Sequence, residues 1–328
     1  MTRTPLIDLH CHLDGSITTD IARSLARLQN LQLPTDNDEE LNRLLSVGDD
    51  CNSLNDFLKC FDLPLSLLQT ETGIRECVHL VQENVKRDGV VYLEIRFAPQ
   101  LSTQKGLTQR QVISAALEGL GKSDLHTNLI LCCMRGNDES THTSNMETIE
   151  LAHEFLVEDG GVVAVDLAGA EALFPTNLFK REFEAAKNYS IPYTIHAGEA
   201  AGAISVQEAL ELGASRIGHG IRSIEDEKVL DRIIQEGIPL ECCPTSNKIT
   251  KAIEDMSAYP LREFLLRGVK VTVNTDDMAI CRTTLSKEFD YIRETFKITS
   301  EEEKQLYLNA VEAAFCSKKT RDELRTLI

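Results

Sequence analysis

The chain has 328 residues with 34 basic and 52 acidic side chains, a net charge of −18, which repels nucleic acid and anionic lipid and includes no Lys/Arg block to reverse that locally. Its start, Met-Thr-Arg-Thr-Pro-Leu-Ile-Asp, lacks an apolar signal core, and no run of about 18 apolar residues is present to span a bilayer. Ten cysteines, with Cys132-Cys133 and Cys242-Cys243 adjacent, do not suit a disulfide framework, because strand neighbours point to opposite faces; a reducing cytoplasm is the expected compartment.

No linker or composition shift divides residues 1–328, so one domain with a large core is expected, without repeats or low-complexity segments. Short β-branched runs recur in chain order at Leu6–Leu9, Val90–Phe97, Leu129–Met134, Val162–Leu167, Tyr193–Ile195, Arg216–Ile217, Pro239–Cys242 and Val269–Asn274. Several are almost wholly apolar, as for parallel strands buried on both faces. Between them lie helical patterns at Gly73–Arg87, Thr108–Gly121, Asn145–Glu158, Asn177–Asn188, Glu225–Gln235 and Leu261–Leu266, and the tail from Thr299 reads as helices. This alternation predicts a (β/α)8 barrel. An open doubly wound sheet is the rival, but no G-x-G-x-x-G follows the first strand. The first connection, from Leu13 to about Lys86, is unusually long. Within it Leu54, Phe57, Leu58 and Phe61 share one helical face. That stripe reads either as core or as a lid over the barrel mouth, where long loops carry function.

Active sites of such barrels sit at the C-terminal strand ends, and these ends are polar here. The first reads His10-Cys11-His12-Leu13-Asp14-Gly15. Residues i and i+2 of a strand share a face, so His10 and His12 can address one ion. His196 and Glu199 follow the fifth strand, His219 ends the sixth, and Asp276-Asp277 follow the eighth. Singly, each has a structural explanation: a hydrogen-bonded core histidine, a first-turn helix anion, a cap. Together they converge on one rim, and three histidines with an aspartate suit Zn²⁺. Such an ion lowers the pKa of water to about 7. Water attack on an aromatic amidine-like carbon then needs a proton at the ring nitrogen, and Glu199 is placed to deliver it. His219 and Asp276 hold and deprotonate the water, and Asp277 is free to meet substrate. His79 and His153 fall in predicted helices, and His126 and His142 in loop-like sequence, so none of the four joins this group. No Gly-x-Ser-x-Gly elbow offers a nucleophile.

At these positions the chain resembles the adenosine deaminase family. The matching stretches are His10–Ser16, Ser53–Phe61, Gly89–Arg96, Leu131–Arg135, Asp166–Gly169, His196–Glu199, Gly218–Gly220, Cys243–Asn247 and Asn274–Asp277, in family order over nearly the whole chain. The resemblance implies one zinc per chain, held by His10, His12, His196 and Asp276. It implies Glu199 as proton donor to purine N1, His219 as the residue that orients and activates the attacking water, Asp277 at N7 and the Gly169 N–H at N3. It also implies His12 and Asp14 near the ribose 5′-hydroxyl, and Leu54, Phe57, Leu58 and Phe61 as a hydrophobic lid. The expected reaction converts adenosine or 2′-deoxyadenosine to inosine or 2′-deoxyinosine plus ammonia. The expected partner is a small purine nucleoside, with no nucleic acid or membrane, and no protein partner is implied. Three positions depart from the family: Gln100 where His is common, Ala170 where Asp often stands, and Met278 where Pro is usual.

Absences narrow the chemistry further. Two-metal barrel amidohydrolases use a bridging lysine after the fourth strand, and Val162–Gly169 contains none. The H-x-E with P-C-x-x-C pattern of cytidine-deaminase-like enzymes is missing. Deaminases of adenine, aminodeoxyfutalosine or N6-methyl-AMP share the metal constellation, while Cys243–Asn247 and Asp166–Gly169 look more like the nucleoside enzyme. A silent binding barrel would have lost Glu199 or a ligand, and neither is lost.

Overall fold

The computed structural model describes residues 4–48, 51 and 53–328. Among them stand eight strands: β1 (Leu6–His12), β2 (Val90–Phe97), β3 (His126–Met134), β4 (Val162–Ala168), β5 (Thr194–Ala197), β6 (Arg216–His219), β7 (Leu240–Cys242) and β8 (Val271–Val273). β1 to β4 pair in chain order as one parallel sheet, and β5 to β8 as a second. Parallel bridges close both seams, Val165 to Tyr193 and Cys11 to Asp276. The second seam is a reciprocal pair: His12 N donates to the Asp276 carbonyl and Asp276 N to the His10 carbonyl, both at 2.8 Å. The sheet is therefore a closed (β/α)8 barrel, and its strands are almost wholly buried because helices cover them outside.

The helices follow local chemistry. Thr70 accepts a bond from Gly73 N and starts Glu71–Arg87, whose Ile74, Cys77, Val78, Val81 and Val85 form one buried face. Thr108 and Gln111 form a capping box at Gln109–Leu120. Two expectations are corrected here. Helix Glu139–Phe155 begins earlier than the apolar pattern does because Asp138 caps it, so His142 lies in a helix and not a loop. His126 opens β3. Neither belongs to the site: His126 is exposed, and His142 Nδ1 lies 2.5 Å from Glu182. Helices Thr19–Gln29, Ala203–Leu212 and Leu285–Phe296 add to the helical stretches named from the sequence.

The barrel interior is charged where such interiors are usually branched and apolar. Glu94, Arg96, Asp166, Arg216 and Glu241 are all no more than 1% exposed. Arg216 reaches Glu94 at 2.7 Å and Glu241 at 2.6 Å; Arg96 reaches Glu241 at 2.8 Å and Asp166 at 3.0 Å. Phe315 lies 3.8 Å below the Arg216 guanidinium. Cys11, Cys77, Cys132, Cys133, Cys242, Cys243, Cys281 and Cys316 are free thiols. Among the described residues no helix is long and apolar enough to cross a membrane.

Candidate active site

The strand ends bring together the side chains that the sequence singled out. One ligand atom each from His10, His12, His196 and Asp276 lies within 4.8 Å of the other three. His12 Nε2 is 3.2 Å from His196 Nε2, while Asp276 Oδ1 is 3.2 Å from His10 Nε2 and 3.4 Å from His12 Nε2. Asp276 and His219 hold left-handed backbone, at φ 63° and 59°. Non-glycine residues rarely adopt it, and it recurs where a site dictates side-chain direction. The β1–β2 register also shifts between Asp8 and Cys11, beside His10, where a bulge re-aims side chains. Gly218 leaves the histidines room: a Cβ there would lie 3.1 Å from His196 Cα and 3.2 Å from His10 Cε1.

The charged interior sets the histidine tautomers. Glu241 stays well below the usual carboxylate range because Arg96 and Arg216 outweigh burial. His10 Nδ1 therefore donates to it, at 2.7 Å. Asp166 is likewise held low, with His196 and Arg96 outweighing burial, and His196 Nδ1 donates to it at 2.9 Å. In both neutral rings Nε2 then carries a lone pair aimed into the cluster. His10 Nε2 is buried without a hydrogen-bond partner. Lone pairs and a carboxylate converging on one point need a cation, so the donor set fits a divalent metal. Burial lowers the pKa of His196 to about 4 and that of His12 well below the ordinary value, so both stay neutral as ligation requires. Burial and Arg96 also lower that of His10, but Asp276 and Glu241 outweigh them and raise it.

Two further carboxyl groups, Glu199 and Asp277, stand beside this cluster. Glu199 Oε2 is 3.5 Å from His219 Nε2, and Oε1 accepts a 2.9 Å bond from Thr250. Burial, with Asp276 and Glu171, raises the Glu199 pKa, as suits a proton donor. Its loop is fastened by Glu171, which accepts from the N–H groups of Gly198, Glu199, Ala200 and Ala201 at 2.6–3.1 Å. Asp277 Oδ1 is buried without a partner, and burial and Asp276 raise its pKa well above the usual range.

Two adjoining compartments meet at His12, Leu58, Phe61, Ala168 and Gly169. The narrower, about 40 Å³, is also lined by His196, Glu199, His219, Asp276, Asp277, Leu54 and Phe57. The wider, about 220 Å³, is also lined by Asp14, Leu65, Leu101 and Met134. The stripe Leu54, Phe57, Leu58 and Phe61 thus faces the site, while His10 lies beneath it, fully buried. Gln100, Ala170 and Met278 line neither compartment. Roles for Arg96, Asp166, Glu171, Glu241, Asn247 and Thr250 escaped the sequence reading. Arg96, Asp166 and Asn247 stood inside motifs, but only the folded barrel shows what they touch.

A family model described as adenosine deaminase matches residues 5–328. An adenosine deaminase of Haemophilus ducreyi is 47% identical over 325 residues, covering 97% of this chain and 94% of that protein. Among solved structures, an adenine deaminase from Arthrobacter aurescens superposes with a TM-score of 0.89 at 27% identity, over 99% of this chain and 98% of that one. The N6-mAMP deaminase of Arabidopsis does so with a TM-score of 0.84 at 27% identity, over 99% and 97%. The chain belongs to the adenosine deaminase family.

Proposed function

We propose that the chain hydrolytically deaminates adenosine and 2′-deoxyadenosine to inosine and 2′-deoxyinosine plus ammonia, with one zinc ion held by His10, His12, His196 and Asp276. The observation that carries this reading is the placing of Glu199 and an unpartnered Asp277 in one narrow compartment beside the three-histidine, one-aspartate set. Bound zinc supplies Lewis-acid activation of water. The protein's own groups do the rest. Glu199 protonates purine N1 as water adds at C6; the amino group then takes the proton that Asp276 removed from the water and leaves as ammonia, while the C6 hydroxyl proton returns to Glu199. His219 and Asp276 hold the water, with Asp276 the acceptor of its proton. Asp277, kept protonated, donates to N7, which can only accept. The Gly169 N–H meets N3, and His12 and Asp14 meet the 5′-hydroxyl. Leu54, Phe57, Leu58 and Phe61 close over the purine and exclude water. The free thiols suit a reducing compartment, for which we propose the cytoplasm.

The wider compartment favours a nucleoside. None of its described lining residues is Lys or Arg, and Asp14 stands among them. A 5′-phosphate would lack a cation there, and a free base would leave most of the space unfilled. Ultraviolet assays of the metal-loaded enzyme on adenosine, 2′-deoxyadenosine, adenine, AMP and N6-methyl-AMP test the assignment. The two nucleosides are expected to be turned over best; preference for adenine or a nucleotide overturns the substrate assignment. Glu199→Gln is expected to keep its metal and lose about 10²–10⁴-fold in rate. Near-normal turnover by that variant refutes the acid role. His10→Ala is expected to lose metal by elemental analysis.

A further inference from the structure

His219 differs from His10 and His196 in what its Nδ1 meets. His10 and His196 face carboxylates there. His219 Nδ1 lies 3.0 Å from Asn247 Nδ2, the nitrogen of a side-chain amide. An amide nitrogen only donates, so Nδ1 must accept. The amide is oriented by its other end, where Asn247 Oδ1 accepts a 3.0 Å bond from the Tyr259 hydroxyl. Tyr259 is itself fixed, buried with its ring stacked on Phe296 at 5.5 Å. Asn247 is fully buried, so no bulk water substitutes for either bond. With Nδ1 accepting, the ring hydrogen sits on Nε2, which lies 3.5 Å from Glu199 and 3.9 Å from Asp276.

We propose that Asn247 and Tyr259 are positioning residues: the chain Tyr259–Asn247–His219 excludes a proton from His219 Nδ1 and presents Nε2–H as a donor between Glu199 and Asp276. His219 therefore steadies the attacking oxygen by donating to it, and the water's proton goes to Asp276. Without the amide, nothing at Nδ1 fixes which ring nitrogen of His219 carries the hydrogen. Neither Asn247 nor Tyr259 lines the compartments, so both act through His219. The proposal rests on the deaminase reading for its kinetic arm only; the protonation state is measured without turnover.

The test uses metal-loaded protein labelled with ¹⁵N-histidine, read by long-range ¹H–¹⁵N correlation, with His219 assigned from the His219→Gln spectrum. Wild type is expected to show His219 Nδ1 unprotonated and Nε2 protonated. Asn247→Asp replaces the donor with an acceptor and is expected to bring a proton to Nδ1. On adenosine its kcat is expected to fall by about 10²-fold, the scale of losing one aligned transition-state donor, with KM changed by no more than about twofold. Tyr259→Phe frees the amide to turn and is expected to lower kcat by about tenfold, again with KM held. A protonated Nδ1 in wild type overturns the proposal, as does wild-type kcat in Asn247→Asp. Should Asn247→Asp fail to fold, the wild-type spectrum and Tyr259→Phe decide. If wild type does not deaminate adenosine, the functional reading fails and the spectra still decide this one.

Discussion

Arg96→Met tests whether the charged barrel interior controls the metal site. Arg96 is fully buried, and its guanidinium donates to Asp166 at 3.0 Å, Glu241 at 2.8 Å and the Leu9 carbonyl at 2.6 Å. Methionine fills much of the same volume but supplies none of these bonds. Breaking a buried ion pair from one side costs about 3–5 kcal/mol. The lower end applies, because the orphaned groups keep other partners. Glu241 retains Arg216 at 2.6 Å and Thr194 at 2.9 Å, and Asp166 retains His196 at 2.9 Å. A loss of about 3 kcal/mol is a large share of the ~5–15 kcal/mol typical of a domain, and urea melts of metal-free protein measure it. Because Asp166 and Glu241 orient His196 and His10, metal affinity is also expected to fall, by about 10–100-fold. Competition with a chromophoric chelator reads that directly. Arg96→Lys keeps the charge but loses the planar fork and is expected to fall between. Lower stability with unchanged metal affinity would refute the link from Arg96 to the ligands.

Three further outcomes follow from the same geometry. Gly218→Ala places a Cβ 3.1 Å from His196 Cα, a backbone atom that cannot rotate away; metal retained after dialysis against dilute chelator is expected to drop, and full retention would show that the ligand pair tolerates displacement. Asp277→Asn keeps a donor for N7 and is expected to hold kcat/KM within about tenfold, whereas Asp277→Ala is expected to lose more, about 10²-fold, the scale of an unmet buried hydrogen bond; equal losses would contradict a protonated Asp277. Burial raises the Glu288 pKa from 4.5 to about 7. Its contribution to stability is therefore full below about pH 4.5 and is lost as pH rises through about 7. Glu288→Gln lacks that loss and is expected to gain about 3 kcal/mol on wild type between pH 4.5 and 8, read from denaturant melts across that range; a pH-independent difference would refute the raised pKa.

The barrel and its rim were legible in the sequence because both are written locally. Buried parallel strands are short apolar runs, and His10, His12, His196, His219 and Asp276 sit at or just beyond their ends. Element boundaries were less legible where side-chain bonds set them, as when Asp138 starts a helix ahead of its apolar stripe. The supporting groups were not legible, since each meets a partner on another strand. Glu241 is 231 positions from His10, and Asp166 is 30 from His196. In sequence Glu94, Arg96 and Arg216 are charges within strands, with no mark to show that they point inward and meet.

That hidden layer sorts the histidines. Two arginines keep Glu241 and Asp166 ionised in a buried interior. An ionised carboxylate can only accept, so the histidines above them place their hydrogens on Nδ1 and turn lone pairs towards the cluster. His219 stands 5.0 Å from His10 and 5.2 Å from His196, ring centre to ring centre, yet meets an amide nitrogen instead of a carboxylate. Its hydrogen lies on the opposite nitrogen. Identical side chains a few ångströms apart are thus divided, in the proposed reading, into acceptors turned to the metal and a donor turned to the substrate by the polarity of one partner atom each. Exchanging that polarity at Asn247 should move His219 towards the other class without touching the pocket wall.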